Sequence, residues 1–215
     1  DVNDGRQSFG ILNTLSFIVE GKSGRDTVDN LENRAKSQHV TVRSLLEYVS
    51  ENDGEIEELV TNARKMLIHS KAGEEVAIRM RHVKGEEPLK YPLKSIKTGN
   101  DTTFVVEEFH SKVVSLLDVK KPTAYLIPKE DTSLVSWLER SYIEYFDFEP
   151  SQDYNVQQYR INSLKQQIDE GLKNYYPEVE LTETQVQQLE NYLYVPVNQL
   201  RSNKIVTALE PQSML

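Results

Sequence analysis

The run from Gly10 to Gly24, G-I-L-N-T-L-S-F-I-V-E-G-K-S-G, places the tightest constraint on what this chain can fold into. Leu15, Phe17 and Val19 fall on one face at period two, and Ile18 adds an apolar residue to the other, which predicts a buried strand. The run stops on a carboxylate, Glu20, followed at once by Gly21 and Gly24, so a charge stands where a buried strand gives way to a flexible turn. In open α/β sheets that edge is where ligands and chemistry collect. Two readings stay open at this point: Glu20 is the first solvated residue after a strand, or it is a site carboxylate.

Beyond the glycines, Val28, Leu31, Ala35, Val42, Leu45 and Val49 recur in steps of three, four and seven. That spacing predicts an amphipathic helix from about 27 to 50, with Asp26 or Thr27 as N-cap and Asp29 and Glu32 favourably placed in the first turn. The pattern breaks at Asn52-Asp53-Gly54. It resumes with Ile56, Leu59, Val60, Ala63 and Leu67 as a second helix ending before Gly73.

From Glu74 the character changes, because Val76, Ile78 and Met80 alternate with Ala77, Arg79 and Arg81 in the manner of a half-buried strand. A boundary near Gly73 is expected on that ground, dividing the chain into units 1–72 and 73–215. Pro88, Pro92 and the turn residues at 99–101 mark a loop-rich stretch, with short strands at Thr102 to Val106 and Lys112 to Leu117. Thr123 to Ile127, a helix capped by Asp131 and carrying Leu134, Val135, Leu138 and Tyr142, and Ile143 to Phe148 read as a β-α-β unit with parallel strands. Tyr154 to Leu164, Pro177 to Thr184 and Asn191 to Val197 predict an antiparallel meander, and Ser202 to Leu209 a closing helix. The fold class expected is α/β, with a strand-rich mixed second unit.

Composition narrows the functions. Hydrophobic residues make up 38% of 215, enough for real cores, while 34 acidic against 25 basic side chains give a net charge of −9. A broad phosphate-binding surface does not fit that balance, so no nucleic acid is expected as a partner. The chain has no cysteine, which removes disulfides, thiolate metal sites and cysteine nucleophiles together. No run approaches the length of a membrane helix, and the opening residues D-V-N-D-G-R are too polar for a signal peptide. A start on Asp1, with the first apolar run so close behind it, suggests a chain cut out of a longer one.

Few residues are arranged for chemistry. The histidines His39, His69, His82 and His110 stand in no H-E-x-x-H or comparable pair, and Glu107-x-x-His110 would place two ligands together only on a helix, whereas its segment looks extended. There is no G-x-S-x-G, and G-K-S-G at 21–24 lacks the preceding glycine-rich run of a phosphate-binding loop. Lys22 and Arg25 read as solvated turn charges.

One resemblance draws these features together. The run D-G-R-Q-S-F-G-I-L-N-T-L-S-F-I-V-E-G at 4–21, followed by L-E-N-R-A-K-S-Q-H-V-T-V-R-S-L-L-E-Y-V at 31–49, resembles the last part of the catalytic domain of bacterial zinc carboxypeptidases. K-P-T-A-Y-L-I-P at 121–128, Y-L-Y-V-P-V-N-Q at 192–199 and A-L-E-P at 208–211 resemble the region that follows that domain in one large bacterial subgroup. The resemblance implies that Glu20 is the general base and acid of peptide hydrolysis, and that 1–72 ends an α/β carboxypeptidase-like domain with 73–215 as an accessory unit. Arg6 is a weaker candidate for substrate binding, with no family role mapped onto it. The family's zinc ligands, an H-x-x-E pair and a later histidine, would precede Asp1, so zinc is expected in the parent and none in this stretch alone. The implied partners are a peptide or protein substrate and the missing N-terminal half, and the implied location is extracellular or periplasmic. The alternative is a non-catalytic interaction or structural module from a peptidase-like protein that has lost its metal, and the residues upstream of Asp1 separate the two.

Overall fold

The computed structural model describes residues 5–21, 28–149, 154–169 and 172–213. These residues form a mixed α/β structure, with several small antiparallel sheets and five α-helices among them. A short helix α1 (Gly5–Gly10) is followed by an irregular run, then by α2 (Leu31–Glu51) and α3 (Asp53–Ile68). The two long helices meet at Asn52, whose φ of −123° breaks the helical path where the hydrophobic stripe lapses. Helix α2 starts later than its stripe suggests, on a left-handed Asn30, and Asp26 and Thr27 lie outside the described residues.

Gly73, with φ +89°, turns the chain out of the helices, and its amide donates to the Lys121 carbonyl at 2.8 Å. Strand β1 (Glu75–Val83) then pairs antiparallel with β4 (Lys112–Lys120), and between them β2 (Leu89–Lys94) and β3 (Asp101–Val106) form a separate hairpin. Strand β2 is the element that its own proline, Pro92, conceals. Pro92 stands opposite Thr103 in a two-stranded ribbon, where each strand has a free edge on which a missing N–H is tolerated.

The core is built by β1, β5 (Ala124–Pro128), α4 (Thr132–Arg140), β9 (Tyr192–Pro196) and α5 (Ser202–Leu209), with the exposed β6 (Phe146–Asp147) at the edge of the core sheet. Asp131 caps α4, its carboxylate accepting from the Leu134 amide at 3.0 Å. Strands β5 and β6 both pair with β9, and both antiparallel, in the order β5-β9-β6. The two strands of the expected β-α-β unit therefore run in the same direction but are not neighbours, because β9 enters between them from far along the chain. Leu193, Val195 and Val197 alternate into the interior, where they meet Ile78, Ile127, Leu138, Ile143, Ile205 and Val206. Gln199 is buried and fully used: its Oε1 accepts from the Glu144 amide, and its Nε2 donates to the Glu144 and Pro196 carbonyls.

The remaining strands, β7 (Val156–Asp169) and β8 (Leu172–Thr184), pair along their whole length as a long ribbon. This corrects the expected meander, since the stretch at 191–197 leaves for the core sheet and does not extend the ribbon. Helix α3 reaches the core unit at its C-terminal end, where Leu67 is buried and the Ser70 hydroxyl lies 3.3 Å from that of Ser202 on α5.

Candidate functional site

The expected strand at Leu15 to Val19 does not form. Residues 14–21 carry no regular structure, and Leu15, Phe17, Ile18, Val19 and Glu20 are all exposed. A period-two run becomes a strand only where another strand offers an edge for its backbone groups, and among the described residues none pairs with it. Glu20 thus stands on an exposed segment, not at the end of a central strand.

The start of that segment is nonetheless fixed. Asn13, in left-handed geometry with φ 49°, donates from Nδ2 to the Ala63 carbonyl at 2.8 Å, and Arg64 donates from Nη2 to the Thr14 hydroxyl at 2.7 Å. Both anchors come from the inner face of α3. Its end is close to α2: Gly21, Leu31, Arg34, Ala35 and Gln38 line an open concavity of about 260 Å³. A Cβ at Gly21 would lie 2.7 Å from Nε2 of Gln38, the movable end of that side chain, so Gly21 stands directly against the Gln38 amide. Glu20 is one residue from that rim, and its carboxylate has no partner among the described residues. Arg6 belongs to α1, and its side chain lies outside the described residues.

The histidines do not converge. His39 is exposed on α2, His69 Nδ1 lies 2.8 Å from the Lys65 carbonyl, and His82 Nδ1 lies 3.2 Å from the His110 carbonyl. Glu107 and His110 sit in the turn between β3 and β4, and among the described residues no three His, Asp or Glu side chains group as metal ligands.

A second cluster was not anticipated from the sequence. The Glu210 carboxylate, 6% exposed, accepts from the Tyr125 hydroxyl at 2.5 Å on one oxygen and from the Tyr159 hydroxyl at 2.6 Å on the other. Burial first, and then the bond to Glu210, push both phenols above the usual tyrosine range. Both carboxylate oxygens are occupied and both hydroxyls remain protonated, so the cluster acts as a fixed junction and leaves no lone group free for proton transfer. Tyr125 and Glu210 each lie in a stretch quoted above for the resemblance, T-A-Y-L-I-P and A-L-E-P, yet nothing local tells that the two side chains meet.

No protein-family model, no curated protein and no solved structure matches this chain. Among the described residues no helix is long and apolar enough to cross a membrane.

Proposed function

We propose that this chain is the C-terminal part of a bacterial zinc carboxypeptidase, with residues 1–72 closing its catalytic domain, 73–215 forming an accessory unit, and Glu20 supplying the proton-transfer carboxylate. The observation that carries the reading is the state of the first 60 or so residues. A strand-patterned run with every large apolar side chain exposed lies beside a helix, α2, of 21 residues that buries none of them. Surfaces patterned for a sheet and a helix face, but without the layer they would cover, are what the end of an α/β domain presents when its other strands are supplied elsewhere.

The described residues do not suit zinc, since they bring no set of three ligands together. Under this reading the metal belongs to the upstream half, and no step through it is derived from the residues at hand. Glu20 itself contributes an accessible carboxylate beside glycine, which takes a proton from a nucleophile and returns it to a leaving amine without blocking the substrate. The reading places the protein outside the cell or in the periplasm.

The test is the parent protein with and without Glu20→Gln, which keeps the shape and removes the base. Hydrolysis of a C-terminal peptide bond is expected to fall by about 10²–10⁴-fold while bound metal stays constant. An unchanged rate removes Glu20 from the chemistry. An upstream sequence without H-x-x-E and a later histidine leaves the alternative, a metal-free interaction module.

A further inference from the structure

We propose that the β7–β8 ribbon is a jointed arm, whose orientation on the core is set by a strap at residues 210–213 acting through the Glu210 clamp. Residues paired across the ribbon share a face, and the bulge between Ile161 and Ser163 keeps the apolar side chains aligned. Tyr159, Ile161, Leu164, Tyr175, Val179 and Leu181 stand on one face, while Gln158, Arg160, Lys165, Glu178 and Glu180 stand on the other. An amphipathic ribbon ordinarily buries the first face against its core. Here Ile161, Leu164, Tyr175 and Leu181 are exposed, and among the described residues β7 and β8 pair with each other and with no other strand.

With so little apolar surface covered, directional polar contacts set the angle of the arm. Glu210 reaches β5 and β7 with its two oxygens, and Gln212 donates from Nε2 to the Pro177 carbonyl on β8 at 3.1 Å. These two ties to the ribbon leave from one short stretch after α5. That stretch is itself fixed, because the Glu210 amide donates to the Val206 carbonyl. A third contact sets the Arg79 guanidinium of β1 over the Tyr176 ring, 3.8 Å from its centre. The continuous ladder between β7 and β8 keeps the ribbon intact when the strap lets go, so loss of the clamp turns a fixed arm into a swinging one and leaves the core unchanged.

The absence of cysteine makes the test direct. Ser133→Cys on α4 and Gln166→Cys on the ribbon, both exposed, take spin labels in the full chain, and pulsed electron spin resonance reads the distance between them. A single narrow distance is expected for this chain and for Tyr125→Phe, which leaves the ribbon tie in place. Tyr159→Phe is expected to lose it in favour of a broad distribution, with the cooperative melting of the core retained. If Tyr159→Phe also lowers the core transition, Gln212→Ala is the second arm of the test, because it removes only the bond to the Pro177 carbonyl. Broadening there with unchanged melting supports the strap, and a narrow distance in both variants overturns it. Equal broadening in Tyr125→Phe overturns it as well, since a core-side bond would then control the arm.

Discussion

The two ends of this chain carry equally clear hydrophobic patterns and reach opposite outcomes. In α5 the positions Ile205 and Val206 are fully buried, and Leu193, Val195 and Val197 bury every second residue of the stretch they occupy. In α2 the stripe positions Leu31, Val42 and Val49 lie open, and among the described residues the run Leu15 to Val19 has no strand beside it. The accessible surface of 16384 Å² exceeds the roughly 10,000 Å² expected of a compact monomer of this mass. Periodicity specifies a face; burial requires a second surface, which β1, β5, β9, α4 and α5 give one another and α2 does not meet. A helix such as α2, supported by exposed i,i+4 pairs Glu32–Lys36 and Arg43–Glu47, each at 2.7 Å, gains only about 0.2–0.5 kcal/mol per pair.

The largest expected effect follows from that contrast. Amides of α2 and of residues 14–21 should exchange through local openings of about 1–2 kcal/mol, whereas those of β9 and α5 should exchange only with global unfolding, several kcal/mol higher. Hydrogen exchange followed by mass spectrometry reads both in one experiment. If the proposed function holds, adding the upstream half of a carboxypeptidase domain should bring the N-terminal amides up to the core's protection, and failure to do so would remove the idea that they are patterned for a further layer.

Next in size is truncation within each half. Leu138→Ala, at a fully buried position of α4, should cost about 2–5 kcal/mol, and Leu46→Ala, on the exposed surface of α2, no more than about 0.5 kcal/mol. Urea denaturation of the two variants measures the difference. Comparable losses would mean that α2 is packed after all.

How much of this was legible in the sequence divides along the same line. Asp131 as a cap, Ser202 to Leu209 as a helix and Val76 to Met80 as a strand were readable, because each is decided by its own residues. The insertion of β9 between β5 and β6 was not, since strand order is fixed by pairings such as Ala124 with Pro196 and Phe146 with Tyr194, far apart in the chain, which no local period encodes. The run at 15–19 failed for the complementary reason: its local signal is strong, but the edge it needs is not supplied by the described residues. Glu20 was visible as a carboxylate before glycine. The Tyr125–Glu210–Tyr159 junction was invisible, because a lone glutamate after an apolar helix carries no sign of which hydroxyls will reach it.

That junction should sharpen the comparison through pH. Tyr125 and Tyr159 have folded pKa values raised above the ordinary phenol value of about 10, so the stability they confer is fully present below that pH and is lost as pH rises beyond it. Absorbance near the tyrosinate band should show Tyr125 and Tyr159 resisting ionisation until the core unfolds. Tyr159→Phe should remove one of these late-ionising phenols. Complete titration near pH 10 with the fold intact would mean the phenols are solvated.

The smallest effect expected lies at the end of α4, where the core unit itself holds a strained residue. Tyr142 has φ 52°, its amide donates to the Glu139 carbonyl, and the Ile143 amide donates to the Leu138 carbonyl. That pair of bonds is the helix-ending motif in which the left-handed position is normally glycine. A tyrosine there meets the Cβ–carbonyl crowding that glycine avoids, about 1–2 kcal/mol, and its ring is largely exposed and returns little packing. The geometry persists because Leu138 and Ile143 on either side are buried and hold the turn in place. Tyr142→Gly should relieve the crowding, offset in part by the greater freedom that glycine gives the unfolded chain, for a net gain of about 0.5–1 kcal/mol. Tyr142→Ala keeps the Cβ and should show no such gain. If alanine stabilises as much as glycine, the ring and not the backbone is the source of strain, and the account of this turn is wrong.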